Sequence, residues 1–161
     1  MKAIILARVS TREQEEGYSP EAQMQRLRDL AKSKQLNVIK EFQLVESASK
    51  DRRENFELLL EFATKQKETT AILVDTVDRI TRNFKDAVKL DDLRKEGKIE
   101  IHFYRENLIV HKNSNSAEIL RWDMAIMFAK SYVLQLSDNV KRSQEQKIRN
   151  GEWPGRAPVG Y

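Results

Sequence analysis

Residues 3–9, with the sequence AIILARV, decide the fold, because a run that is apolar on both faces is typical of a central strand covered by helices. Residues 70–75, TAILVD, form a second buried run, and residues 37–45 and 99–104 indicate two further strands. Segments with apolar residues at helical spacing separate these strands. The alternation predicts an α/β fold, with a parallel-rich sheet flanked by helices on both faces.

Three helices are predicted between the strands. Ser19–Pro20 is typical of a helix start and predicts a helix over residues 20–34. A polar stretch, residues 46–53, precedes the second helix, and Asn83 can cap a third that ends near Gly97. The apolar residues of the second helix are Phe56, Leu59, Leu60 and Ala63.

The composition fits one domain, or one domain with an appendage. The 161 residues include 29 Lys and Arg against 25 Asp and Glu, for a net charge of +4. The chain has no cysteine, which excludes disulfides and thiolate metal sites, and its two histidines are too few for a His-rich metal centre. With neither a signal peptide nor an apolar run of roughly 20 residues, we expect a cytoplasmic protein without a membrane span.

Residues 116–150 contain no proline or glycine and predict one long helix. Such a helix would span roughly 52 Å, so we expect it to project from a body whose radius of gyration is about 15 Å. One apolar stripe comprises Ile119, Trp122, Ile126, Ala129, Val133, Leu136 and Val140. A second comprises Leu120, Met124, Met127 and Leu134. Either the same helix of a second subunit covers the second stripe, or both stripes pack inside the monomer.

The end of the chain is polar and basic. Beyond Val140, basic residues exceed acidic ones by three, and the basic ones are Lys141, Arg142, Lys147, Arg149 and Arg156. Residues 151–161 have the glycine and proline content of a linker. We therefore expect a core over 1–115, the long helix over 116–150, and a linker over 151–161 that leads to further domains beyond these residues.

Candidate site residues follow the predicted strands, at the edge where parallel sheets form their sites. Arg8 and Ser10 are two residues apart on the first strand and so share a face. Arg52 and Arg53 stand in the predicted loop after the second strand. Asp75 and the segment Asp78–Arg82 follow the third strand, and in a helical turn Arg79 and Arg82 would lie on one face.

A serine hydroxyl among arginines suits a phosphodiester better than an acyl group. Neither His102 nor His111 stands in a recognisable triad context. Guanidinium groups grip phosphate oxygens and stabilise a five-coordinate transition state, and Asp78 could protonate the departing oxygen.

Other interpretations of these residues remain open. A serine after a strand is often only a cap, and an Asp-Arg pair is often a surface ion pair. Asp75 and Asp78 could instead hold Mg²⁺ in a metal-dependent nuclease or phosphatase. The chain could also be a non-catalytic module that dimerises through the long helix.

The chain resembles the N-terminal catalytic domain of the serine recombinases, the resolvase and invertase family, and in particular the large serine recombinases. The resemblance lies in Ala7–Thr11 with Gln14, in Ser19–Gln23, and in Asp78–Arg82, and it covers the whole chain. The tail that ends Ala-Pro-Val-Gly-Tyr is similar to the junction before the family's further domains. In one departure, Leu6 stands where many members have a tyrosine.

The resemblance implies a resolvase-like fold and a role for each matching residue. Ser10 matches the nucleophile, which forms a 5′-phosphoserine link to DNA and frees a 3′-hydroxyl. Four further residues match the phosphate-gripping arginines and the acid beside them: Arg8, Arg79, Arg82 and Asp78. Gln14 and Gln23 match supporting polar residues. Arg53 fits the second-loop arginine better than Arg52 does.

The family recombines double-stranded DNA at specific sites within a tetramer assembled from dimers, without a required metal or other cofactor. The resemblance therefore implies an integrase or resolvase type of recombinase that associates with the nucleoid when bound to DNA. We expect the 161 residues alone to bind DNA weakly and not to recombine it.

Overall fold

The computed structural model describes residues 1–9, 20–45, 49–81 and 84–153, with the backbone alone at 9, 20, 44–45, 49–53, 129 and 132–133. The described strands are β1 (Lys2–Val9), β2 (Asn37–Val45), β3 (Thr70–Val74), β4 (Ile99–Phe103) and β5 (Leu108–Val110). The described helices are α1 (Pro20–Ser33), α2 (Ser49–Thr64), α3 (Val77–Ile80), α4 (Phe84–Lys95) and α5 (Ser116–Arg149).

The five strands form one sheet in the order β2-β1-β3-β4-β5. Strands β1 to β4 are parallel, and β5 is antiparallel to β4, which confirms the predicted parallel-rich sheet. Leu6, Val74 and Phe103 lie in one row across β1, β3 and β4. The carboxyl ends of these three strands therefore meet at one edge, which we call the carboxyl edge.

Helices cover both faces of the sheet, as the sequence predicts. On one face, apolar residues of α2, α3, α4 and α5 pack against Ile4, Leu6, Ile72 and Ile101. On the other face, Met24, Leu27 and Ala31 of α1 pack against Ala3, Ile5 and Leu73. The central strands β1 and β3 thus bury both of their faces, because their neighbouring residues point to opposite sides, whereas β2 lies at the edge of the sheet and is only partly buried. Over the described part of the chain, no helix is both long and apolar enough to cross a membrane.

The structure corrects one sequence-based boundary and adds one strand. Residues 49–53 belong to α2, so Arg52 and Arg53 stand in a helix and not in the predicted loop. Long charged side chains propagate a helix well but leave no apolar period, which is why this first turn escaped prediction. Strand β5, of three residues, was also not predicted because it is too short to show a pattern. Asn107 in the preceding turn has a φ of 45°, a left-handed conformation that asparagine tolerates.

The helix α5 begins with a reciprocal cap. The Asn115 side chain accepts a hydrogen bond from the Glu118 amide at 2.9 Å, and the Glu118 carboxylate accepts one from the Asn115 amide at 3.0 Å. Trp122 is fully buried, and Ile119, Ala125 and Ile126 pack beside it on the core. The attachment to the core therefore lies in the first three turns.

The apolar stripes of α5 do not both pack inside the monomer, so that alternative is wrong. The exposed members are Leu120, Met124, Met127, Leu134, Leu136 and Val140. Within the first stripe, Ile119, Trp122 and Ile126 pack on the core, whereas Leu136 and Val140 are exposed. The side chains of Ala129 and Val133 lie outside the described residues.

Candidate active site at the carboxyl edge

The strand β1 delivers Arg8 to the carboxyl edge, two residues beyond Leu6. Leu6 is completely buried in the core. Arg8 lies on the same face of the strand as Leu6 and donates from Nη1 to the backbone oxygen of Asp78 at 3.1 Å. The arginine side chain thus crosses from β1 to α3, which follows the neighbouring strand.

Gln23 of α1 ties the helix to the same strand end. Its Oε1 accepts a hydrogen bond from the Arg8 amide at 2.9 Å, and its Nε2 lies 3.5 Å from Asp75 Oδ2. Gln23 is buried, as is Asp75, which is only 2% exposed. The glutamine therefore fixes the backbone of Arg8, two residues before Ser10.

Asp75 follows β3, and its carboxylate is paired with arginine side chains. Its Oδ2 lies 3.0 Å from Nε of Arg105, and its Oδ1 lies 4.0 Å from Nε of Arg26. The Arg105 amide also donates to the Asp75 backbone oxygen at 3.0 Å. A buried carboxylate needs such partners, since burial without them is costly.

The helix α3 carries Asp78 and Arg79. Val77 and Ile80 are buried in the core and anchor the turn. Asp78 is about half exposed, and its Oδ2 lies 3.8 Å from Nε of Arg79, whose side chain is largely buried. The helix ends at Ile80, and Thr81 is extended with φ −104° and ψ 107°. The helical turn that would align Arg79 with Arg82 therefore stops before it reaches position 82.

The turn after β4 also holds α3 in place. Glu106, in the turn after β4, accepts a hydrogen bond from the Val77 amide at 3.1 Å through Oε1. Nη2 of Arg121, on α5, donates to the backbone oxygen of Glu106 at 3.0 Å. The turn after β4 thus joins α3 to the long helix.

The structure brings together Arg8, Gln23, Asp78 and Arg79 from the predicted site. Ser10, Gln14 and Arg82 lie outside the described residues, and at Arg53 only the backbone of α2 is described. The basic residues of the long helix stand apart from the carboxyl edge, on the last turns of α5. The exposed ones are Lys141, Arg142, Lys147 and Arg149, whereas Arg156 lies outside the described residues.

The charges of this edge suit an anion more than a cation. Asp75, one half of the Mg²⁺ pair considered from the sequence, is already compensated by Arg105 and Arg26. Within the ranges that the structure describes, no three His, Asp or Glu side chains form a group that could hold a metal ion. Arg8 and Arg79 each bring a guanidinium group to Asp78, the first to its backbone oxygen and the second to its carboxylate, and such groups suit phosphate oxygens.

Sequence reasoning missed Arg26, Arg105, Glu106 and Arg121. Arg105 and Glu106 directly follow a strand whose carboxyl end lies at the same edge, so the strand-end rule applied to the fourth strand would have found them. Arg26 lies one helical turn after Gln23, a weaker signal, since most such arginines are solvated. Nothing in the sequence marks Arg121, which reaches Glu106 only through the tertiary fold.

Comparison with known proteins extends this picture. The family model described as the resolvase N-terminal domain matches residues 3–153. Among solved structures, the N-terminal catalytic domain of TP901-1 integrase is 23% identical with a TM-score of 0.56, covering 84% of this chain and 98% of its own. A resolvase family site-specific recombinase from Streptococcus pneumoniae is 19% identical with a TM-score of 0.58, covering 94% and 98%.

The C-terminal catalytic domain of ISC1926 TnpA, an IS607-like serine recombinase, is 19% identical with a TM-score of 0.52, covering 94% of this chain and all of its own. At these identities the solved structures show a shared fold. No curated protein matches the chain at a significant level.

Proposed function

We propose that Ser10 cuts DNA by forming a covalent phosphoserine link. The premise is that this chain belongs to the resolvase family and is the catalytic domain of a site-specific recombinase. The observation that carries the proposal is the bond from Arg8 Nη1 to the Asp78 backbone oxygen at 3.1 Å. This contact puts a fixed cation two residues before Ser10 and next to Asp78 and Arg79.

The proposed step conserves atoms and protons. Ser10 Oγ bonds to the phosphorus while the bond from phosphorus to the 3′ oxygen breaks. The hydroxyl proton of Ser10 leaves to water, and Asp78 delivers a proton to the departing oxygen. Arg8, Arg79 and Arg82 stabilise the added charge on the phosphorus oxygens, and Arg53 joins them from α2. Gln14 and Gln23 are the supporting polar residues.

Because the phosphodiester energy is kept in the serine link, the 3′-hydroxyl of another strand can attack it and rejoin the DNA. This reversal needs no nucleotide cofactor, and charge compensation by arginines supplies what a metal ion supplies in other phosphoryl-transfer enzymes. The substrate is double-stranded DNA, and its recombination takes place in the cytoplasm at the nucleoid.

We assign assembly and DNA approach to the long helix. The exposed apolar residues of α5 would cover one another in a homodimer, and two dimers would form the tetramer that exchanges strands. The last turns of α5 would carry Lys141, Arg142, Lys147 and Arg149 along the phosphate backbone, followed by Arg156 in the linker. These contacts recognise the charge of the DNA backbone and give little sequence specificity.

Covalent trapping tests the proposal. The full-length protein is incubated with a pool of short duplexes of random sequence, each nicked so that a cleaved end diffuses away and cannot rejoin. We expect an adduct that resists denaturant, maps to Ser10 and forms in excess chelator. Ser10→Ala should abolish it, whereas Ser33→Ala, an exposed serine at the end of α1, should not. An adduct that survives Ser10→Ala, or cleavage that stops with chelator, would contradict the proposal.

A further inference from the structure

The helix α3 has no side-chain cap of its own. Thr76 occupies the N-cap position with φ −143° and ψ 162°, but its side chain makes no capping hydrogen bond. Serine, threonine, aspartate or asparagine at this position normally accepts from an amide in the first turn. Here the Val77 amide instead donates to Glu106 Oε1, 29 residues along the chain, at 3.1 Å. The cap of α3 is thus supplied from another part of the fold.

Glu106 is itself held firmly in place. The turn that carries it continues β4, because the Tyr104 and Arg105 amides donate to the backbone oxygens of Val74 and Asp75 at 2.9 and 3.0 Å. On its other side, Arg121 of α5 donates to the Glu106 backbone oxygen at 3.0 Å. The carboxylate therefore reaches α3 from a fixed backbone, and an anion near a helix N-terminus is electrostatically favoured.

We infer that Glu106 is a positioning residue of the catalytic site, which sets the direction of the turn that carries Asp78 and Arg79. The inference rests on the proposed function, because it gives those two residues their chemical roles. Glu106 touches neither of them in the described structure and acts through the Val77 amide. Through Arg121, the same residue links α3 to the helix that we assign to subunit assembly.

The hydrogen bond between Glu106 and the Val77 amide should affect the orientation of α3 more than the stability of the fold. Val77 and Ile80 keep α3 on the core through buried apolar side chains, so the turn persists without its cap. A single capping hydrogen bond contributes only a small part of the stability of a folded domain. A small shift in a reacting group, by contrast, can slow a reaction by about 10²-fold. Loss of Glu106 should thus slow cleavage far more than it destabilises the protein.

The chain offers a matched control. Glu118 also accepts a hydrogen bond from a backbone amide at a helix start, with Oε2 lying 3.0 Å from the Asn115 nitrogen, but it lies at the start of α5. Glu118→Ala removes the same kind of contact outside the site. Glu106→Gln keeps an oxygen that can accept from Val77, whereas Glu106→Ala removes the acceptor.

The test measures single-turnover adduct formation by the full-length protein on the nicked duplex pool, together with DNA affinity and unfolding midpoint. We expect Glu106→Ala to slow the adduct by about 10-fold or more at saturating DNA, with unchanged affinity and a midpoint close to that of Glu118→Ala. Glu106→Gln should recover most of the rate, and Glu118→Ala should match the wild type. A Glu106→Ala rate equal to that of Glu118→Ala, or a Glu106→Gln rate as slow as Glu106→Ala, would overturn the inference.

A second measurement separates this inference from the proposed function. Hydrogen exchange of the Val77 amide should quicken in Glu106→Ala and not in Glu118→Ala, whether or not any adduct forms. If the wild type forms no adduct through Ser10, the proposed function is wrong, and the inference falls with it as a statement about catalysis. If the adduct forms but Val77 exchange is unchanged in Glu106→Ala, the inference alone is wrong.

Discussion

Replacing Arg8 is the sharpest test of the arginine-based site. Arg8→Ala removes a guanidinium that has two tasks, gripping the DNA phosphate in our proposal and bonding the Asp78 backbone oxygen at 3.1 Å in the structure. Arg8→Lys keeps the positive charge but lacks the planar fork that can serve both tasks together. The two variants therefore separate charge from geometry.

The expected magnitude follows from these two tasks. Loss of one preorganised donor to a transition-state oxyanion costs about 10²–10³-fold in rate. The bond to Asp78 adds to this, since its loss frees one end of the turn that carries Arg79, and hydrogen bonds from charged groups contribute about 1.5–3 kcal/mol. We expect about a 10³-fold slower adduct for Arg8→Ala and a loss of about 10–10²-fold for Arg8→Lys, because lysine makes one contact at a time.

The assay is single-turnover adduct formation at saturating DNA, with Arg28→Ala as control. Arg28 also carries a guanidinium, but it pairs with Glu41 on the surface at 2.7 Å, away from the carboxyl edge. Exposed pairs of this kind contribute about 0–1 kcal/mol to stability, so the control should fold and react normally. The reasoning is refuted if Arg8→Ala reacts within about threefold of Arg28→Ala, a difference below 1 kcal/mol.

Two further predictions concern stability and assembly. The hydrogen bond to His102 at 2.6 Å lowers the pKa of the half-buried Glu100 below its usual 4.5, so the folded state gains stability above pH 4.5 and loses it as the pH falls through the lowered pKa. Urea unfolding should therefore show a steeper acid-side loss for the wild type than for Glu100→Gln, and equal slopes would contradict this. Leu134 is 57% exposed on α5 and should lie in the dimer contact. Leu134→Glu should therefore shift sedimentation toward the monomer, whereas Asp123→Asn should not. A dimer that survives Leu134→Glu would count against this interface.

Much of the fold was predictable because its two central strands are buried on both faces. Residues 3–7 and 71–74 are apolar without interruption, and such runs are typical of central strands. The short α3 and β5 were not predictable, since each depends on contacts with distant residues rather than on a repeating pattern. The charged first turn of α2 was not predictable because it forms a helix without an apolar face.

The site was predictable in part, and the division has a physical origin. Arg8 lies near the end of β1, and Asp78 and Arg79 follow β3. Parallel strands bring their carboxyl ends together, so the proximity of these residues follows from topology. The Glu106 contact with Val77 depends on the conformation of the turn after β4, which no local pattern specifies. Arg121 shows the same limit, because its partner lies in a segment that the long helix reaches only in the folded chain.

The attachment of α5 through its first three turns has a mechanical consequence. Past Ile126 the helix continues to Arg149, which is about 35 Å at 1.5 Å per residue. A tilt of about 10° at Trp122, which lies about 40 Å from Arg149 along the helix, would sweep the far end by about 7 Å. The helix α5 thus acts as a lever, and its pivot packs on the same core as α3. A modest repacking around Trp122 would move the basic last turns of α5 by nearly the distance between successive phosphates on a DNA strand.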